Sequence, residues 1–214
     1  MSSITAGTTL GGGLLYDSDT TGNLQIKTGG SATTTATFHS NLATVFNGEV
    51  YISDAPLRAT LASGTANTTV SGGTVIIHDG IPAWARRVTI LYSGLSTNGT
   101  NPIVIQAGSG TFKTTGYLGA AAVIEGTTGY TVGFGIGNSN VSNADLHHGT
   151  IVLNLLNSST NTWVASGTAA RSDAVEAGFT GGAVALAGAL DRIRITTVGG
   201  TDLFDAGVTN IMWE

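Results

Sequence analysis

Charge is the scarcest property of this chain: 10% of its 214 residues are Asp, Glu, Lys or Arg, against roughly a quarter in an ordinary soluble protein. Lysine occurs twice, as Lys27 and Lys113. A monomer that stays dispersed normally carries a more charged surface. A chain built this way is expected to hide much of its exterior against copies of itself or against a larger particle. Cysteine is absent, which excludes disulfides, zinc–thiolate sites and thiol catalysis and fits synthesis in a reducing cytoplasm. No apolar run approaches the roughly 20 residues of a membrane helix, so no membrane insertion is expected. The opening Met1-Ser2-Ser3-Ile4-Thr5 has no basic region followed by an apolar core, and no secretory signal is expected. A net charge of -5 and one basic pair, Arg86-Arg87, argue against nucleic acid, because phosphate neutralisation needs clustered Lys and Arg.

In place of charge the chain carries 32 glycines and 34 threonines. Thr, Val and Ile form short runs, and Gly, Asn, Ser and Asp interrupt them at intervals of roughly 8–12 residues, the spacing of an all-β sandwich or barrel. Helix is expected at most for a turn or two, at 172–178 and at the alanine-rich 183–190.

Residues 1–62 are repetitive and poor in bulky apolar groups. Leu14-Leu15-Tyr16 reads as a strand, 17–22 as a turn, and 23–28 as a return strand with Leu24 and Ile26 facing one way. Residues 31–39 and 43–52 repeat the scheme. So little bulk in one chain does not repay the ordering entropy, so three chains winding together are expected. Asp54-Ala55-Pro56 marks a joint and 61–73 a linker.

Residues 63–214 carry stronger strands. Val88, Ile90 and Tyr92 alternate toward one face in 87–93, and Ile103 and Ile105 are in phase in 101–107. Residues 150–157 are apolar on both faces, with Ile151, Leu153 and Leu155 against Val152 and Leu156, which predicts a central strand. In 190–197, Ile193 and Ile195 point inward and Arg192 and Arg194 outward, and a last strand runs to Trp213-Glu214. The expected fold is all-β: a short β-hairpin stem (1–62) followed by a jelly-roll-like antiparallel β-sandwich (63–214), assembled as a homotrimer.

Ile81-Pro82-Ala83-Trp84-Ala85-Arg86-Arg87-Val88-Thr89-Ile90, with Gly94-Leu95-Ser96-Thr97-Asn98-Gly99-Thr100, resembles a recurrent segment of tail-fibre-like virion proteins of tailed bacteriophages. Asp191-Arg192-Ile193-Arg194-Ile195-Thr196-Thr197, then Gly200-Thr201-Asp202-Leu203-Phe204-Asp205-Ala206-Gly207 and the 211–214 close, is similar to the terminus of those proteins. Asp19-Thr20-Thr21-Gly22-Asn23-Leu24 resembles their stem repeats. The resemblance implies a trimeric β-structured virion appendage, made in the host cytoplasm and docked to other virion proteins. Such an appendage attaches to a host surface glycan or outer-membrane protein through several weak contacts. A head or tail decoration that binds no receptor is the alternative, and a carbohydrate depolymerase fits least. The resemblance carries no catalytic residues.

The residues themselves offer few candidates for chemistry. Asp17-Ser18-Asp19-Thr20-Thr21-Gly22 begins like a calcium loop, but the twelfth position is Thr28 where a bidentate Glu belongs, and the flanks are strands; a plain Asx turn is expected. His147-His148 with Asp145 is the one cluster of metal-ligand types. Adjacent strand residues face opposite ways, so a metal would need a threefold axis to gather copies of one imidazole. Gly108-Ser109-Gly110 and Gly133-Phe134-Gly135-Ile136-Gly137 lack the following helix of a nucleotide loop and read as turn glycines. The acids Asp173, Glu176, Asp191, Asp202 and Asp205 are scattered over turns. Trp84 and Trp213 read as core or interface residues, while Trp163, after a polar loop, is open to either core packing or sugar stacking. No catalytic, cofactor or metal residue is assigned, and no cofactor is expected. If a receptor is bound, loops 138–148 and 157–163 are where contact is expected.

Overall fold

A computed structural model describes residues 64, 72–124, 126–137 and 141–214 in full, and the backbone of seven short strands before Gly64. Every regular element among them is a strand. The chain divides into two compact units, Met1–Ala59 and Thr60–Glu214.

In the first unit, β1 (Leu15–Ser18), β2 (Leu24–Lys27), β3 (Thr34–Phe38) and β4 (Thr44–Phe46) pair in chain order as an antiparallel meander. Asp17 and Ser18, expected in a turn, are ladder residues opposite Gln25 and Leu24. β5 (Val50–Ile52) and β6 (Ala55–Leu57) make a separate hairpin. The expected joint at Asp54-Ala55-Pro56 is therefore partly strand, with Pro56 opposite Tyr51. Which way Leu24 and Ile26 face lies outside the described residues.

The second unit is an antiparallel sandwich. A five-stranded sheet contains β8 (Val75–Asp79), β10 (Ile103–Ser109), β11 (Thr111–Phe112), β14 (Phe134–Gly135) and β18 (Arg192–Thr197). An eight-stranded sheet runs β13 (Gly126–Tyr130), β12 (Leu118–Val123), β17 (Glu176–Ala185), β16 (Thr162–Arg171), β15 (His147–Asn157), β9 (Arg87–Thr97), β19 (Phe204–Trp213) and β7 (Ala62–Ser63). The expected linker at 61–73 thus contributes structure. Ala62 and Ser63 pair with Trp213 and Met212, and the Gly72 N–H donates to the Phe204 carbonyl at 2.9 Å.

Period-two alternation explains the core. Val88, Ile90 and Tyr92 of β9 and Ile151 and Leu153 of β15 meet Ile103 and Ile105 of β10 and Ile193 and Ile195 of β18 in one buried cluster. Leu155, expected with them, is only partly buried against that cluster. His78 of β8 crosses between the sheets, its Nε2 2.9 Å from Thr209 Oγ1 of β19. Burial holds its imidazole pKa below the ordinary value.

Two expectations fail here. Neither 172–178 nor 183–190 is helical: 172–175 is a turn, and Glu176–Ala185 is a strand paired on both sides, with β16 and β12. Thr180 and Val184 are buried, and Gly178, Gly181 and Gly182 weaken a helix, so pairing on both edges overrides the local alanine preference. β15 is central, as expected, but only its inward face is covered. Val152 is half-exposed and Leu156 is exposed.

Candidate functional site

Antiparallel register places His147 of β15 opposite Arg171 of β16, and Arg171 opposite Glu176 of β17. The turn after Arg171 returns Asp173 to the same spot, and the segment before β15 supplies Asp145. The Arg171 guanidinium gathers all three carboxylates: Nη2 lies 2.5 Å from Asp145 and 2.6 Å from Asp173, and Nη1 lies 3.0 Å from Glu176. Asp145 also accepts the Ser142 N–H, and Asp173 the Leu146 N–H. Bonds from Arg171 pull the Asp173 carboxyl down to about 2, and the same bonds raise the guanidinium above its ordinary value. The acids thus serve to lock a loop to two strand ends.

The two histidines of the metal-ligand-type cluster diverge. His147 is buried, with Nε2 3.9 Å from Asp145 Oδ2, beyond hydrogen-bond reach. Burial lowers its pKa, opposed chiefly by Asp145. The neighbouring cavity, bordered by Ile136, Val141 and Ala169, leaves room for about one water molecule. His148 points the other way. Its Nδ1 accepts the Gly94 N–H at 3.2 Å, which leaves Nε2–H to donate to Ser172 Oγ at 2.9 Å. Both ring nitrogens of His148 are thus hydrogen-bonded within the chain, and no group of three metal-ligating side chains occurs among the described residues.

The other candidates are structural in the same sense. Trp163 is fully buried in the core, which leaves no ring face for sugar stacking, and Trp84 and Trp213 pack half-buried against it. Asp191 bonds Arg192 and the Gly110 N–H, and Asp202 binds the N–H and side-chain amide of Asn101, each at 2.8 Å. Gly133 and Gly135 sit in a strap folded over β10, where Tyr130 covers Val104. In the hairpin tip after β15, Asn157 Oδ1 accepts the N–H groups of Ser159 and Thr160, an Asx turn that holds a rigid, exposed end. Of the calcium-like loop, Asp17 and Ser18 belong to β1 and the rest lies outside the described residues. Residues 138–140 of the other loop also lie outside them. Sequence reasoning did not single out Arg171. The available signal was its position as the one Lys or Arg between Lys113 and Arg192, with Asp173 and Glu176 just after it.

The outward faces of the two sheets differ sharply. On the five-stranded sheet, Arg194 donates to Gln106 Oε1 at 2.5 Å and lies 4.7 Å from the Phe112 ring centroid, with Arg192 beside it. Across the eight-stranded sheet, Met212, Thr89, Val152, Ser166, Gly181 and Ala120 form one outward row. Asn210, Leu91, Thr150, Thr168, Phe179 and Ala122 form the next. Neither row contains a charge.

Comparison with protein-family models, with curated proteins and with solved structures finds no match to this chain.

Proposed function

We propose that this chain is a structural subunit of a virus particle, a homotrimeric tail fibre or fibre-like appendage of a tailed bacteriophage that mediates host attachment by multivalent binding. The observation that carries the reading is the combination of a sandwich scaffold with acids tied up in loop-locking bonds and a broad sheet face whose charge is confined to one ion pair at its rim. That is the chemistry of a part that packs and presents. The two segments that resemble phage fibre proteins, near 94–100 and 200–207, support it further. They are joined in space, with the Asn98 N–H donating to the Leu203 carbonyl and the Leu203 N–H to the Asn98 side chain. The chain crosses between the sheets from β8 to β9, from β9 to β10 and again from β18 to β19, a pattern that favours a jelly-roll-like connection.

In this reading the N-terminal unit docks to other virion proteins and the sandwich faces outward. Rigid tips such as the one at Asn157 then touch a host glycan or outer-membrane protein, and affinity comes from effective concentration across the trimer. The subunit binds and does not catalyse. The burial of Trp163 favours a second reading, a head or tail decoration that engages no receptor. Particles lacking residues 158–160 decide between them: attachment to host cells falls in the first reading and is unchanged in the second. Failure of an antibody against the chain to label any particle in electron micrographs, or shortening of a host polysaccharide by the purified protein, would sink the proposal.

A further inference from the structure

We infer that the outward face of the eight-stranded sheet is the surface through which copies of this chain pack against one another. The inference rests on the homotrimer reading and names the face that makes the trimer.

Its first support is exposure of apolar bulk where a monomer has no use for it. Phe179 is 69% and Leu118 77% exposed, and Leu91, Val152, Val164 and Met212 are half-exposed on the same face. Exposed apolar bulk gathered on one face, here among uncharged Thr, Ser and Asn, marks an interaction surface. The second observation is size. Six strands spaced about 4.8 Å apart, with four outward rows about 6.7 Å apart, outline roughly 800 Å². Shared between the two neighbours of a trimer, that gives each contact about half of the roughly 800 Å² that a standard interface takes from one partner.

The third support is charge, which selects the occupant. The chain carries a net charge of -5, so two copies repel unless they meet where the charge is missing. In the next row of the face the charged side chains are Arg87 and Glu214, at the rim, and they pair with each other at 2.7 Å. Copies meeting here bring no carboxylate against carboxylate. A basic or acidic partner finds nothing to pair with, and an anionic lipid surface finds no cluster of Lys or Arg. A small ligand requires a concavity, whereas this face is a run of paired strands with short side chains. Another copy of the same face is the occupant that fits, each face shared between two neighbours about a threefold axis.

Absence of native cysteine makes the test direct. In the full-length chain, Ser166→Cys places a unique thiol in the middle of the face, and Val152→Glu with Phe179→Glu puts charge on either side. The expected result is a trimer whose Cys thiol reacts with a maleimide several-fold more slowly than the same thiol in the Glu-bearing chain. The Glu-bearing chain is expected to sediment as a monomer and still melt cooperatively. If the Glu-bearing chain fails to fold, the single Ser166→Cys trimer decides alone, protection supporting the inference and rapid labelling overturning it. A trimer that persists in the Glu-bearing chain, with the thiol freely labelled, overturns the choice of face and leaves the trimer standing. A wild-type monomer overturns both.

Discussion

The two sheets of the sandwich share one core and present opposite outer surfaces. The five-stranded sheet covers part of its outside within the chain and leaves Val75 and Ile77 of β8 exposed. Its arginines bond Asp191 and Gln106 and lie over Phe112, and the strap carrying Tyr130 covers Val104. The eight-stranded sheet leaves its outside mainly as threonine, alanine and valine, with Phe179 and Leu118 strongly exposed. A protein with few charges to spend has placed them where it meets water and withheld them from one broad face. Low charge in this chain is therefore a matter of distribution, which composition alone does not reveal.

The largest expected effects show that the sheets are alike inside. Ile193→Ala beneath the five-stranded sheet and Ile151→Ala beneath the eight-stranded one should each cost about 2–5 kcal/mol, because both side chains are fully buried and leave a cavity. Urea melts that show a large loss for one and almost none for the other would break the symmetry of the core. The next comparison separates the outer faces. A Cβ at Gly135 overlaps the Tyr130 ring, so Gly135→Ala should displace the strap and cost about 1–3 kcal/mol. A Cβ at Gly181 on the open face meets only the Ala165 carbonyl, at an ordinary 3.7 Å, and Gly181→Ala should change stability by about 0.5 kcal/mol or less.

A smaller effect lies in pH. His78 and His147 both have native pKa values lowered by burial. The unfolded chain therefore takes up protons first as pH falls. Their contribution to stability is fully present above the ordinary imidazole value of about 6.5 and declines as pH drops through it toward the native values. Carboxylates such as Asp173, with a native value near 2, begin to matter only below about 4. Melting temperatures unchanged between about pH 7 and about pH 5 would contradict the burial of these imidazoles. Least of all, Arg194→Ala removes the Gln106 bond and the Phe112 contact on a wet face and should cost about 1 kcal/mol or less; a larger loss would mean that the charged face is a second core.

Legibility in the sequence follows side-chain bulk. Strict alternation at Val88-Thr89-Ile90 and at Arg192–Thr197 announces strands and the buried face, and both are found. β16 and β17, written in Ala, Gly, Ser and Thr, have no such contrast, and the alanine run at 183–190 reads as helix until pairing on both edges is known. Apolar residues on both faces of 150–157 are legible, but the sequence cannot tell a face covered by its own chain from one left open, as Val152 is. The loop-locking cluster is only half legible for a different reason: Arg171, Asp173 and Glu176 are near in sequence, but Asp145 joins them only because β15 and β16 pair.

The account rests on the uncharged face being covered by other copies, and the native mass of the unmodified chain at micromolar concentration tests it most directly. Sedimentation or mass photometry should give three times the 21.5 kDa chain mass, and a single species at 21.5 kDa would contradict it.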